Sequence, residues 1–259
     1  MNKNLTIILV VLILGAGFLL LKNNKDNQIE INTMPNDIQV IPISHASMIL
    51  SWDGVAIYTD PSMYKVSNSN IFAEKPAPDI ILFTDIHQDH FDIETLQMVS
   101  KEKTIIIAPK AVADELPEEM KNRTVIIGNS ETINQIGFKI EAMPAYNIPE
   151  SSAAFHPRGR GNGYVVEKDG ARVYISGDTS GIPEMKNLKN IDMAFIAMNL
   201  PYTMSVEEAA DAVLVFKPKK VYPYHYRTPD GFSDVGKFKE LINKGDPNIE
   251  VVQLEWYPK

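Results

Sequence analysis

The chain has 259 residues, 44% of them hydrophobic and 22% charged, which suits one α/β catalytic domain with a large core and excludes extensive disorder. Its net charge is −8; residues 1–25 hold three lysines and no acid, so the remaining 22 basic residues face 33 acidic ones, and no nucleic-acid partner is expected. There is no cysteine, which excludes disulfides and thiolate metal sites and leaves His, Asp, Glu and amide oxygen as possible metal ligands.

Residues 5–21 (LTIILVVLILGAGFLLL) are uncharged and mostly apolar between Lys3 and Lys22. With its flanks this run reaches the length of a membrane span. The expectation is an N-terminal transmembrane helix within 1–25 that anchors the protein to the membrane with its catalytic domain outside the cytoplasm. A cleaved signal peptide, giving a secreted protein, is the competing reading. A polar tether over 26–36 and the catalytic domain over 37–259 follow.

Short β runs open the domain at 38–43, 47–52 and 55–59, the last two joined by a tight turn at Asp53-Gly54, so the opening is antiparallel. A buried strand at 79–84, a helix N-capped by Asp92, a strand at 104–108 and a helix at 111–120 come next. The second half predicts strands at 138–143, 163–167 and 171–176, with a second hairpin turn at Lys168-Asp169-Gly170. A strand at 191–197, a helix at 205–216 with Ser205 as N-cap and Glu208 three residues on, and a strand at 220–224 follow. A helix near 234–243 and a strand at 249–254 close the domain. This order fits two antiparallel-to-mixed sheets with helices outside, and puts strand-end ligands along one edge of the sandwich.

The chemistry concentrates in Thr84-Asp85-Ile86-His87-Gln88-Asp89-His90, directly behind the apolar run Ile80-Ile81-Leu82-Phe83. Asp85, His87, Asp89 and His90 crowd four potential ligands into six residues, which a tight loop at a rigid strand end can aim at neighbouring points. Only three further histidines exist, His45, His156 and His225. His225 ends the run Tyr222-Pro223-Tyr224-His225-Tyr226, and Ser176-Gly177-Asp178-Thr179 ends another strand with a carboxylate.

These elements, in this order and spacing, resemble the metallo-β-lactamase fold superfamily of hydrolases. The matched residues are His87, Asp89 and His90 of its HxHxDH signature, Gly177-Asp178 for its bridging carboxylate, and His225 for its last His. Ser44-His45-Ala46-Ser47 with Tyr58-Thr59-Asp60-Pro61 is similar to the branch containing ascorbate-6-phosphate lactonase and N-acylphosphatidylethanolamine phospholipase D. The resemblance implies a four-layer αββα sandwich holding one or two divalent ions, zinc first, with manganese or iron as alternatives. Carried over, it gives Asp89, His90, Asp178 and His225 as one metal site, and His87 and Asp178 as part of the other. Two departures stand out. Asp85 replaces the first His of the signature, and the next ligand is either Asn147 or His156, imidazole being preferred for first-row metals.

Two such ions sharing a carboxylate can hold hydroxide at neutral pH, so the expected activity is hydrolysis of a lactone, amide or phosphodiester in a small or lipid-like substrate. Asp89 would orient the nucleophile, and a phenol such as Tyr224 would meet a developing oxyanion. The basic, glycine-rich loop with Arg158 and Arg160, together with Tyr146 and Asn147, is expected to receive an anionic part of the substrate. His45 reads as a hydrogen-bonding neighbour of the site rather than a ligand. A non-catalytic metal- or partner-binding module with a degenerate first site is the alternative, motivated by Asp85 and Asn147.

Overall fold

A computed structural model describes residues 38–257. The first sheet runs in the order β1 (Gln39–Ser44), β2 (Ser47–Trp52), β3 (Val55–Thr59), β4 (Ile80–Leu82), β5 (Ile105–Ala108) and β6 (Thr124–Ile126), antiparallel through β3 and parallel from there on. The second mirrors it. β7 (Thr132–Gln135), β8 (Phe138–Ala145), β9 (Gly161–Lys168) and β10 (Ala171–Ile175) form an antiparallel meander. β11 (Met193–Ala197), β12 (Lys220–Tyr224) and β15 (Glu250–Val251) then continue in parallel. A small hairpin, β13 (Arg227–Thr228) and β14 (Gly231–Phe232), forms a separate two-stranded sheet.

The period-2 alternation of each strand sorts its side chains between layers. Met48, Leu50, Trp52, Ile57, Ile80 and Leu82 meet Phe138, Ile140, Tyr164, Val173, Ile175 and Phe195 in a core between the sheets. Their alternates Ile49, Tyr58, Ile81 and Phe83 pack instead against helices α1 (Ile93–Val99), α2 (Lys110–Glu115) and α3 (Glu118–Lys121). On the other side Val165, Tyr174, Ile196 and Val221 bury against α4 (Pro183–Lys186), α5 (Val206–Phe216) and α6 (Val235–Gly245).

Both expected hairpin turns are of the kind that matches strand twist, with positive φ at Asp53 and Gly54 and again at Asp169 and Gly170. The helix caps also agree with the sequence: Asp92 accepts from the Glu94 and Thr95 amides, and the Ser205 hydroxyl accepts from the Glu208 amide at 3.1 Å. The helix expected over 111–120 is broken in two by Leu116 and Pro117, because the residue before a proline is pushed out of the helical region. The strand expected at 249–254 pairs only at Glu250 and Val251, and Trp256 beyond it is buried in the inter-sheet core.

The expected membrane-spanning helix is corrected. Among the described residues no helix is long and apolar enough to cross a membrane. The longest, α5 and α6, have 11 residues, about 16 Å against the ~30 Å of a bilayer core. Residues 1–25, which carried that expectation and the anchored, extracytoplasmic localisation drawn from it, and the tether at 26–36 lie outside the described residues, and no described helix supports that localisation.

Candidate metal centre

Four loops bring the candidate ligands to one edge of the sandwich, where β4, β8, β10 and β12 all end. The loop after β4 is fastened first. Asp60, at the end of β3, accepts from the Thr84 amide at 2.7 Å and the Thr84 hydroxyl at 2.5 Å. The same carboxylate sits 2.9 Å from His90 Nδ1, so that nitrogen carries the proton and Nε2 faces inward. Burial raises the Asp60 pKa against these hydrogen bonds.

Asp178 lies at the centre. Its Oδ2 is 3.1 Å from His156 Nε2 and 3.3 Å from His90 Nε2, and its Oδ1 is 3.4 Å from His225 Nε2. The turn that holds it is set by Gly177 at φ +59°, a left-handed conformation that glycine adopts without strain. A Cβ on Gly177 would stand 2.7 Å from the Asn162 carbonyl oxygen. The Gly177 amide donates to the Tyr224 hydroxyl at 3.1 Å. Tyr224 therefore braces the Asp178 turn from inside the inter-sheet core and is not brought to the cavity.

Two further groups complete the edge. Asp89 Oδ2 lies 3.2 Å from His45 Nε2 and 3.4 Å from His225 Nε2. His45 sits at φ +52° in the β1–β2 turn, stacks on His225 with centroids 3.8 Å apart, and is held at Nδ1 by the Tyr257 hydroxyl at 2.7 Å. On the opposite side Asp85 Oδ2 is 2.7 Å from His87 Nδ1 and 3.9 Å from His156 Nε2.

The two candidates for the ligand left open by the sequence, Asn147 and His156, take different positions. His156 Nε2 points into the cluster, whereas Asn147 Oδ1 meets His156 Nδ1 at 3.1 Å and the His156 amide at 2.9 Å, and Asn147 Nδ2 donates to the Tyr202 carbonyl at 2.9 Å. Asn147 holds the imidazole from behind.

Three sets of side chains thus present ligand atoms within 4.8 Å of one another: His90, Asp178 and His225; Asp85, His87 and His156; and His45, Asp89 and His225. Their electrostatics fit a cation. Burial alone would lower the His90 pKa, yet Asp178, Asp60 and Asp89 outweigh it and raise it well above the ordinary value. Burial would likewise raise Asp89 and Asp178, yet the surrounding imidazoles hold both well below the usual carboxylate range. Two buried atoms facing the cluster, Asp178 Oδ1 and His156 Nε2, have no hydrogen-bond partner among the described residues, which a shared metal ion would supply.

A cavity of about 440 Å³ opens over the ligands, lined by His45, His87, Asp89, His156 and Asp178 below and by Tyr64, Lys65, Asn199, Tyr202 and Arg227 around its mouth. Arg158 and Tyr146 do not reach it. The Arg158 guanidinium lies 3.9 Å above the Tyr146 ring, bonds its hydroxyl, and is paired with Glu150 at 3.1 Å and Glu184 at 2.9 Å. Sequence reasoning missed Asp60, although it stands in the quoted stretch as a lone carboxylate ending an apolar strand. It also missed the mouth residues, which carry no spacing signal.

The sequence comparisons agree with this geometry. A profile described as Beta-lactamase superfamily domain matches residues 39–225, most of the chain. The chain belongs to this family. The UPF0173 metal-dependent hydrolase of Thermococcus onnurineus is 34% identical over 187 residues, covering 70% of this chain and 81% of that protein. That of Thermococcus kodakarensis is 30% identical, over 84% and 96%. A crystal structure assigned as a metal-dependent hydrolase of Parabacteroides distasonis shares 39% identity, with a TM-score of 0.75 over 86% of this chain and 94% of that one. Igni18, a metallo hydrolase of Ignicoccus hospitalis, is 21% identical with a TM-score of 0.72, which shows the common fold. The protein is accordingly a metal-dependent hydrolase of the metallo-β-lactamase superfamily, and the non-catalytic alternative is set aside.

Proposed function

We propose that this edge holds one or two divalent ions, zinc first, with manganese or iron as alternatives, and hydrolyses a lactone, amide or phosphodiester bond in a small anionic substrate. The observation that carries the reading is the placement of Asp178 between His156, His90 and His225 at 3.1, 3.3 and 3.4 Å. Asp89, His90, Asp178 and His225 would hold one ion; Asp85, His87, His156 and Asp178 would hold the other. A divalent ion supplies Lewis-acid chemistry there, bringing the pKa of water to near 7 and offsetting negative charge on the electrophile.

The chain's own groups do the rest. Asp89, held ionised by its imidazole neighbours, orients the attacking water by accepting a hydrogen bond from it. His45 keeps that carboxylate in place, and burial lowers its pKa to about 3, so it stays neutral at working pH. Lys65 and Arg227 at the mouth lie over the Tyr64 and Tyr257 rings at 5.0 and 4.5 Å, and among the described residues no carboxylate is within ion-pair distance of either. They suit a carboxylate or phosphate on the substrate.

The test is a screen of lactone, phosphodiester and amide substrates on chelated protein with zinc, manganese or iron restored. Activity should vanish on chelation and return with one of these metals. His90→Ala and Asp178→Ala should each lower kcat about 10³-fold, or ~4 kcal/mol of transition-state stabilisation. Hydrolysis that survives both chelation and these substitutions contradicts the reading.

A further inference from the structure

The two halves of the centre differ in one respect that the metal-binding reading does not explain. At the His90, Asp178 and His225 half, the charged neighbours are carboxylates and imidazoles; among the described residues no lysine or arginine pairs with it. At the other half, Asp85 is bound by Arg160. Nε lies 3.2 Å from Oδ1, Nη2 lies 3.2 Å from both carboxylate oxygens, and Nη2 also stands 3.4 Å from His87 Nε2.

The guanidinium is held there by the fold. The Asn162 amide donates to the Thr84 carbonyl at 2.8 Å, which docks the start of β9 against the metal loop. Gly161 lies so close that a Cβ would meet the Thr84 carbonyl oxygen at 2.8 Å and Asp85 Oδ1 at 3.2 Å. Arg160, the preceding residue, is thereby set beside Asp85, and its Nη2 is anchored a second time on the Phe155 carbonyl at 2.5 Å. Asp85 is 2% exposed, and a carboxylate that deeply buried requires a compensating charge.

We propose that Arg160 is the resident cation of the Asp85, His87 and His156 half, neutralising Asp85 and weakening divalent-metal binding there. The His90, Asp178 and His225 half is then the tight site, and the protein holds one ion firmly and a second one loosely. Asp85 with Arg160 together present the same net charge as the neutral imidazole that the superfamily signature has at this position. The pairing thus keeps the charge of the half-site while giving up a nitrogen ligand and placing a positive charge against it. The inference rests on the metal-centre reading above.

The experiment is calorimetric titration of chelated full-length protein with zinc alone, using a competing chelator for the tight step, on wild type, Arg160→Met and Arg160→Lys, each first checked for folding by circular dichroism. Wild type should take up one equivalent tightly and a second at least about tenfold more weakly, each tenfold being ~1.4 kcal/mol. Arg160→Met, which keeps the apolar stem and removes the charge, should tighten the second step at least tenfold and leave the first unchanged. Arg160→Lys should keep the wild-type gap. Should Arg160→Met fail to fold, the double variant Asp85→His with Arg160→Met, which restores a neutral pair, should bind two equivalents with similar affinity. Two equal steps in wild type, or an unchanged gap in the charge-removing variant, would overturn the proposal. The absence of any tight step in every protein would instead sink the metal-centre reading itself.

Discussion

Replacing Tyr224 by phenylalanine separates two roles that the sequence alone cannot tell apart. As a proton donor at the reacting centre, Tyr224 would matter to rate; as the brace seen here, it matters to the position of Asp178. Its ring is fully buried beside Phe195 and Trp256, and phenylalanine would keep that packing. What is lost is the acceptor for the Gly177 amide, at 3.1 Å. A buried N–H left without a partner costs about 1–3 kcal/mol. For a domain of this size that lowers the thermal midpoint by roughly 2–12 °C. Because Gly177 precedes Asp178, zinc affinity should fall too. Urea unfolding of chelated protein, zinc titration and a pH–rate profile read the three consequences. Stability should drop by the stated amount, metal binding should weaken, and the shape of the pH–rate profile should not change. Stability within ~0.5 kcal/mol of wild type together with loss of the basic limb of the profile would refute the bracing role.

Further outcomes follow from the same geometry. Gly177→Ala combines a left-handed φ, costing about 1 kcal/mol for a residue with a Cβ, with a 2.7 Å approach to the Asn162 carbonyl oxygen. Denaturant melts should show a loss of at least ~2 kcal/mol, and metal content should fall. His45 has its pKa lowered from 6.5 to about 3, chiefly by burial and next by His225, against the pull of Asp89. The unfolded chain therefore takes up this proton first, so the contribution of His45 is complete above pH 6.5 and declines as the pH falls toward 3. In chelated protein, stability lost between pH 7.5 and 5.5 should be smaller by about 1.4 kcal/mol in His45→Asn than in wild type. Lys65→Ala with Arg227→Ala should raise KM about 10–100-fold for an anionic substrate and less than about threefold for a neutral analogue, with kcat nearly unchanged. An equal rise for both substrates would remove the anion-binding role.

The sheets were legible in the sequence because alternation and tight turns are local. β2, β3 and β12 begin and end where the residues predict, and Asp53-Gly54 and Lys168-Asp169-Gly170 announce their hairpins. The hairpin at Ile136-Gly137, also with two positive φ values, leaves little trace in the sequence, since β7 is short and half exposed and gives little apolar alternation. Asp85, His87, Asp89 and His90 were visible as a crowd of ligands, and Asp178 and His225 as polar residues ending apolar strands. The choice between Asn147 and His156 was not legible, because it depends on how the 147–156 loop folds back so that one residue hydrogen-bonds the other. The same holds for Arg158 and Arg160. Both read as anion receptors in a glycine-rich loop, yet one is absorbed by Glu150 and Glu184 and the other by Asp85, partners distant in the chain.

The most direct test of the metal centre is X-ray diffraction at the zinc absorption edge from crystals of the full chain grown with zinc. An anomalous peak should lie about 2.0–2.2 Å from His90 Nε2, His225 Nε2 and a carboxylate oxygen of Asp178. A zinc peak elsewhere, or none at this edge of the sandwich with those three side chains ordered, would contradict the account.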